Sequence, residues 1–197
     1  MTRPELRQML LDALSSEGSA SSDFDLNKDV VLPAGRKLTP AAVLVAVRVE
    51  TRSVILTKRS ARLKHHPGQI AFAGGKQDPT DADPIAAALR EAHEEIGLDP
   101  TLVDVVGALP AHETVTGYAV TPVLALIDGP FVPMAEEGEV SEVFEVPLAH
   151  LMTSVNFNIE GRIWQGKIRK YYTVPFGPYY IWGATARILR GLAERMQ

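Results

Sequence analysis

Three glutamates in one short run are the part of this sequence best suited to chemistry. Arg90-Glu91-Ala92-His93-Glu94-Glu95-Ile96-Gly97-Leu98 puts Glu91, Glu94 and Glu95 at i, i+3 and i+4. On a helix these side chains project to one side. Three carboxylates in one turn repel each other unless solvated, paired or bound to a cation. Arg90, four residues before Glu94, offsets part of the charge. A solvated acidic helix face would account for such a run by itself. Hard divalent cations offer a second account, because they take oxygen ligands and commonly bind carboxylates together with substrate phosphates. Ala73-Gly74-Gly75-Lys76, shortly upstream, sharpens that account. Paired glycines let the backbone approach a ligand closely, and their carbonyls or amides can join a metal or phosphate site. Lys76 could meet phosphate, or pair with the acids. A tight Gly-Gly loop delivered onto a tri-carboxylate helix reads as a cradle for metal and diphosphate.

The elements that must position these residues are marked along the chain. Asp83 is a good N-cap, Pro84 fits the first helical position, and Gly97 stops the helix. Ile85, Ala88, Leu89, Ala92 and Ile96 form its apolar stripe, with the glutamates expected opposite. Upstream, Ala42–Val49 and Val54–Thr57 flank a turn at Glu50–Ser53 and predict a hairpin. Residues 58–82 read as a long loop interrupted by one brief strand at Gln69–Phe72, and loops of this length are often functional. Strands are predicted at Leu102–Leu109, Tyr118–Leu126 and Val140–Val146, with another hairpin within 157–174. A last helix over Ile181–Arg195 buries Ile188, Leu189 and Leu192. At the other end, Thr2 and Glu5 have capping-box spacing, and Leu6, Met9, Leu10, Ala13 and Leu14 form a helical stripe that ends before Gly18. Residues 18–37 read as a connector. The division is therefore an N-terminal helix and connector over 1–37 and a catalytic domain over 38–197. Helices against a mixed sheet make the fold α+β, an α/β/α sandwich with an added N-terminal helix.

Composition bounds the function. The 197 residues include 46% hydrophobic and 22% charged, ordinary globular usage. Twenty Lys and Arg against 24 Asp and Glu give a net charge of -4, which argues against a nucleic-acid partner needing a basic face. A bound cation can still reverse the field in one cleft. The absence of cysteine excludes disulfides, thiolate metal sites and a Cys nucleophile. No apolar run has the length of a membrane span, and the N-terminus lacks a signal-peptide core, so the expectation is a cytoplasmic protein with no membrane partner.

Gly75-Lys76-Gln77-Asp78-Pro79-Thr80-Asp81 followed by Arg90 to Leu98 resembles the Nudix box: a Gly, an acid six positions on, then Arg-Glu-x-x-Glu-Glu-x-Gly and an aliphatic residue. Here the acid is Asp81 rather than Glu, and one extra residue separates it from Arg90. That stretched spacing is similar to the coenzyme A pyrophosphatase branch. Leu56-Thr57-Lys58-Arg59-Ser60, His66-Pro67-Gly68-Gln69-Ile70-Ala71-Phe72 and Gly74-Gly75 resemble the signature of the same branch. So does Tyr180-Ile181-Trp182-Gly183-Ala184-Thr185-Ala186-Arg187-Ile188-Leu189. Lys64 stands where the branch usually has Arg, and Ala73 where it has Pro. The first change keeps charge but loses the planar fork that grips phosphate bidentately.

The resemblance implies a Nudix fold and a hydrolase that needs Mg2+ or Mn2+ to split the diphosphate of coenzyme A. It implies Glu91 and Glu95 as metal ligands, Glu94 as ligand or water-mediated partner, the Gly74 carbonyl as a further ligand, and Arg90 as orienting the glutamates. Gly75 and Lys76 would lie at the substrate, and Lys64, His66 and Gln69 would hold its 3′-phosphoadenosine part. The general base is a box glutamate or an acid from a distant loop. Glu139, in Glu136-Glu137-Gly138-Glu139, is the choice, before Glu142 and Glu137. Tyr171, Tyr172, Tyr179, Tyr180 and Trp182 could stack adenine, but such a cluster near a terminal helix is more often core. ADP-ribose or NADH would serve the same chemistry, and a non-catalytic nucleotide-binding module would need no full glutamate set. The N-terminal helix fits packing on its own domain or a homodimer equally well.

Overall fold

A computed structural model describes residues 1–18, 20–164 and 166–196. In chain order its elements are α1 (Arg3–Ser15), β1 (Ser21–Ser22), β2 (Thr39–Arg48), β3 (Ser53–Arg59), β4 (Ile70–Ala71), β5 (Ala73–Lys76) and α2 (Pro84–Ile96). There follow β6 (Val103–Ala108), β7 (His112–Glu113), β8 (Tyr118–Ile127), β9 (Val140–Pro147), α3 (Leu148–Leu151), β10 (Asn158–Trp164), β11 (Lys167–Thr173) and α4 (Ala184–Arg195).

β2 is the axis of the sheet because its residues are apolar on both faces, the pattern of a strand covered on each side. It pairs in parallel with β8 from Thr39 opposite Tyr118 to Arg48 opposite Ile127. On its other side it runs antiparallel to β5 near its start and to β3 at its end. Alternation then divides the core. Ala42, Leu44 and Ala46 meet Ala87, Ala88, Ala92 and Ile96 of α2, with Val123, Ala125 and Ile127 of β8. Val45 and Val47, with Leu124 and Leu126, face Leu6, Leu10 and Ala13 of α1 and Ile188, Leu189 and Leu192 of α4. Helices on both faces of a mixed sheet are the expected α/β/α sandwich. The stripe of α1 is buried within this chain, with Leu6, Leu10 and Ala13 fully covered. Among the described residues, no helix is long and apolar enough to cross a membrane.

Three expectations need correction. Residues 21–22 are a strand rather than connector: β1 pairs in parallel with β7, and Asn27 is fixed between Lys170 N–H and C=O. Gly74 and Gly75 lie in β5 rather than in a loop, paired with Val43 and Ala42. The last helix starts at Ala184, not Ile181. Val174 N–H donates to the Ile181 carbonyl and Gly183 N–H to that of Tyr172, so this segment lies along the end of β11. Gly183, at φ 66°, then turns the chain into α4.

Candidate active site

α2 is fixed at both ends by its own sequence. The Asp83 carboxylate accepts from the Ala86 N–H at 2.8 Å, and Gly97, at φ 68°, returns its N–H to the helix. Its small residues Ala87, Ala88 and Ala92 let it lie close on the sheet. The third turn therefore meets β5. There the glycines are needed for space: a Cβ on Gly75 would sit 2.5 Å from the Glu91 carboxyl, and one on Gly74 would sit 2.3 Å from the Ala42 carbonyl oxygen. Gly74 N–H instead donates to Glu95 Oε2 at 3.0 Å.

The three glutamates are not equivalent, contrary to the expectation that all would stand opposite the apolar stripe. Glu95 is only 4% exposed, whereas the Glu94 side chain is 57% exposed. Burial pushes the Glu95 carboxyl up to about 7, against the opposing pull of the Gly74 N–H and the charge of Arg59. Arg59 Nη1 stands 3.9 Å from Glu95 Oε1. Burial also raises the Glu91 carboxyl, despite its hydrogen bond from Arg90. The charge of Glu139 adds, as the smallest of the causes, to both shifts.

Arg90 ties the box together. Its Nε and Nη2 donate to Asp81 Oδ1 and Oδ2 at 3.1 and 2.9 Å, and Nη1 donates to Glu91 Oε1 and Glu94 Oε2, each at 3.0 Å. Nη2 also reaches the Lys76 carbonyl at 3.1 Å. These hydrogen bonds, with that of the Asp78 N–H, hold the Asp81 carboxyl below its ordinary range. The shorter Asp81 side chain thus still meets Arg90 across the longer spacing.

Among the described residues, no three His, Cys, Asp or Glu side chains are gathered closely enough to hold a metal as they stand. Arg90 draws Glu91 and Glu94 one way, and Gly74 holds one oxygen of Glu95. The donor set nonetheless suits a hard divalent cation. It is all oxygen, it is partly desolvated, and its carboxyls are raised by burial and by one another's charge. A divalent cation would remove that penalty.

The other expected residues are dispersed. Glu139 is exposed, its carbonyl accepting the Ser60 N–H at 2.7 Å at the end of β3. Glu142 points elsewhere: it takes the Tyr179 hydroxyl at 2.5 Å, and Tyr179 stacks on Phe144 against the opposite core. The Lys76 ammonium lies over the Tyr118 ring, 5.9 Å from its centroid, rather than against the acids. Lys64 and His66 are exposed in the loop between β3 and β4, where His66 adopts a φ of 54°. A left-handed backbone at a non-glycine residue in such a loop is strain of the kind found at binding sites. Gln69 lies at the loop's end, beside Gly183. Arg59, which stands beside Glu95, is not singled out by the sequence, although the Thr57-Lys58-Arg59-Ser60 run contains it. Its signal was its place two residues beyond Thr57 on a strand, which gives it the face of Ile55 and hence of α2.

The model of the NUDIX domain matches residues 37–166. The chain belongs to the Nudix hydrolase family. Relatives called "Uncharacterized Nudix hydrolase NudL" are 44% identical over 190 residues in Shigella sonnei, covering 96% of each chain. In Escherichia coli K12 the identity is 44% over 154 residues, covering 78% of this chain and 80% of the relative. In Enterobacter sp. it is 43% over the same shares. A MutT protein from Methanosarcina mazei aligns with TM-score 0.48 at 18% identity, covering 61% of this chain and 84% of that one. An Ap4A hydrolase from C. elegans aligns with TM-score 0.46 at 22% identity, covering 55% and 80%. Nudix hydrolases act on small molecules and use divalent metal ions.

Proposed function

We propose that this Nudix hydrolase cleaves the diphosphate of coenzyme A in the cytoplasm, giving 3′,5′-ADP and 4′-phosphopantetheine. The observation that carries the chemistry is the buried Glu95, held by the Gly74 N–H beside Glu91, in a cluster of carboxyls short of positive charge. Mg2+ or Mn2+, when bound, neutralises the diphosphate and lowers the pKa of attacking water. Glu91 and Glu95 would hold it, with Glu94 and the Gly74 carbonyl as further ligands. Arg90 keeps Glu91 and Glu94 in place through its fork on Asp81. Glu139 takes the proton of the water that adds to one phosphorus as the bridging P–O bond breaks. Gly75 and Lys76 line the approach of the diphosphate.

The substrate assignment is supported by the stretch from Leu56 to Gly75 that resembles the coenzyme A branch. Lys64, His66 and Gln69 lie in that stretch, joined to the glutamates through Arg59. The test is mass spectrometry of products after incubation with coenzyme A and Mg2+ or Mn2+ in 18O-water. Metal-dependent appearance of the two products, one carrying the label, is expected. No cleavage of coenzyme A beside rapid cleavage of ADP-ribose or NADH would sink the substrate. Inertness toward all three would leave a binding module.

A further inference from the structure

The hairpin β10–β11 has no part in the reaction derived so far. Its register pairs Glu160 with Tyr171 and Arg162 with Arg169, so these four share one face. That face meets the segment leading into α4. The Tyr180 hydroxyl donates to Glu160 at 2.7 Å, and Tyr171 packs edge-on against Trp182 at 5.3 Å. The Arg162 guanidinium lies over the Trp182 ring, 4.7 Å from its centroid.

The same segment borders the loop ahead of the glutamates. A Cβ on Gly183 would be 3.8 Å from Gln69 Nε2, and Thr185 Oγ1 donates to the Ile70 carbonyl at 3.1 Å. The charge of Arg162 reaches His66, where it joins burial, Arg59 and His65 in lowering the imidazole pKa. Arg59 and Arg162 thus both lie within electrostatic reach of His66, and Arg59 also reaches Glu95.

Two guanidiniums opposite each other on a sheet repel unless an anion intervenes. Arg169 has Asp23 at 3.3 Å. Among the described residues, Arg162 has no carboxylate within 4.0 Å; its contact is the indole. An exposed guanidinium steadied on an aromatic face keeps its N–H edge for a phosphate and loses little freedom on binding it.

We propose that Arg162, resting on Trp182, is a specificity-determining anchor for a substrate phosphate monoester outside the cleaved diphosphate. In coenzyme A this group is the 3′-phosphate. The inference rests on the reading that the substrate is a nucleotide carrying such a group.

Calorimetric titration of the full chain in Mg2+ with 3′,5′-ADP and with 5′-AMP reads the extra phosphate without turnover. Wild type is expected to prefer 3′,5′-ADP by about tenfold or more, and Arg162→Gln to lose that preference. Arg162→Lys should recover part of it, since it keeps charge without the fork. Arg162 is exposed, so unchanged melting curves should accompany the change. Should the Gln variant fail to fold, the Lys variant decides: full wild-type preference in it sinks the anchor. A wild type that does not discriminate, or a Gln variant that still does, also overturns the proposal. Intact discrimination without cleavage of coenzyme A would remove the coenzyme A reading and leave the anchor standing. Cleavage of coenzyme A with preference retained in the Gln variant would do the reverse.

Discussion

Gly74 N–H donates to Glu95 Oε2 at 3.0 Å, so strand β5 and the last turn of α2 are joined through the most buried carboxylate of the site. The bond favours the ionised carboxyl while burial disfavours it, and burial prevails, leaving the pKa at about 7. Glu95→Gln removes the desolvated charge and keeps an acceptor for the glycine. The variant is expected to melt no lower than wild type, while turnover falls by roughly two orders of magnitude or more. Steady-state kinetics with a thermal melt check both halves. Turnover near wild type would take Glu95 out of the metal site.

Gly75→Ala tests the fit between β5 and α2. The added methyl would stand 2.5 Å from the Glu91 carboxyl, so Glu91 must swing away or the strand must shift. The expected cost is about 1–3 kcal/mol in denaturant unfolding, with a loss of activity larger than that destabilisation explains. A variant as active as wild type would mean that Glu91 is free to work from another position.

Glu139 and Glu142 separate by chemistry. Glu139→Gln is expected to lower kcat about 10²- to 10⁴-fold. Glu142, occupied by Tyr179 on the opposite face of the sheet, should be replaceable by Gln with little change in kcat. If the Glu142 variant is the slower of the two, the assignment of the base is reversed.

Asp23 gives a pH signature away from the site. Burial alone would raise its carboxyl. The His112 side chain, the Val115 N–H and the charges of His112 and Arg169 outweigh burial and lower it below the ordinary 3.8. A depressed carboxyl pKa contributes stability that is present above pH 3.8 and lost as pH falls through the folded value. Asp23→Asn should cost about 1–3 kcal/mol at neutral pH and lack that acid limb. Urea melts between pH 2 and 6 would show it, and parallel pH curves for the two proteins would contradict it.

Much of this was legible in the sequence, for reasons that are local. Asp83, Pro84 and Gly97 bracket α2, and the continuous apolar runs of β2 and β8 mark strands covered on both faces. The tri-carboxylate run was legible as a candidate site through its resemblance to a known box. The inequality of Glu94 and Glu95 was not, because it depends on which side of α2 rests on β5. Ser21 and Ser22 have no strand pattern of their own; their pairing with His112 and Glu113 is made across most of the domain. Ile181 fits the apolar period of α4, yet the Val174 and Gly183 backbone bonds hold it in extended chain. Arg162 was invisible as a site residue because its indole partner lies beyond the hairpin turn and a second strand.

The loop between β3 and β4 is closed at its base by backbone hydrogen bonds. Arg59 N–H donates to the Gln69 carbonyl at 2.9 Å and Gly68 N–H to the Arg59 carbonyl at 3.1 Å, while β4 continues the ladder with β3. None of these bonds depends on the side chains at 61–67. The stretch is therefore an interchangeable cassette. If these residues hold the substrate as proposed, their number and charge can be rewritten to redirect selectivity while the carboxylates behind them stay where they are.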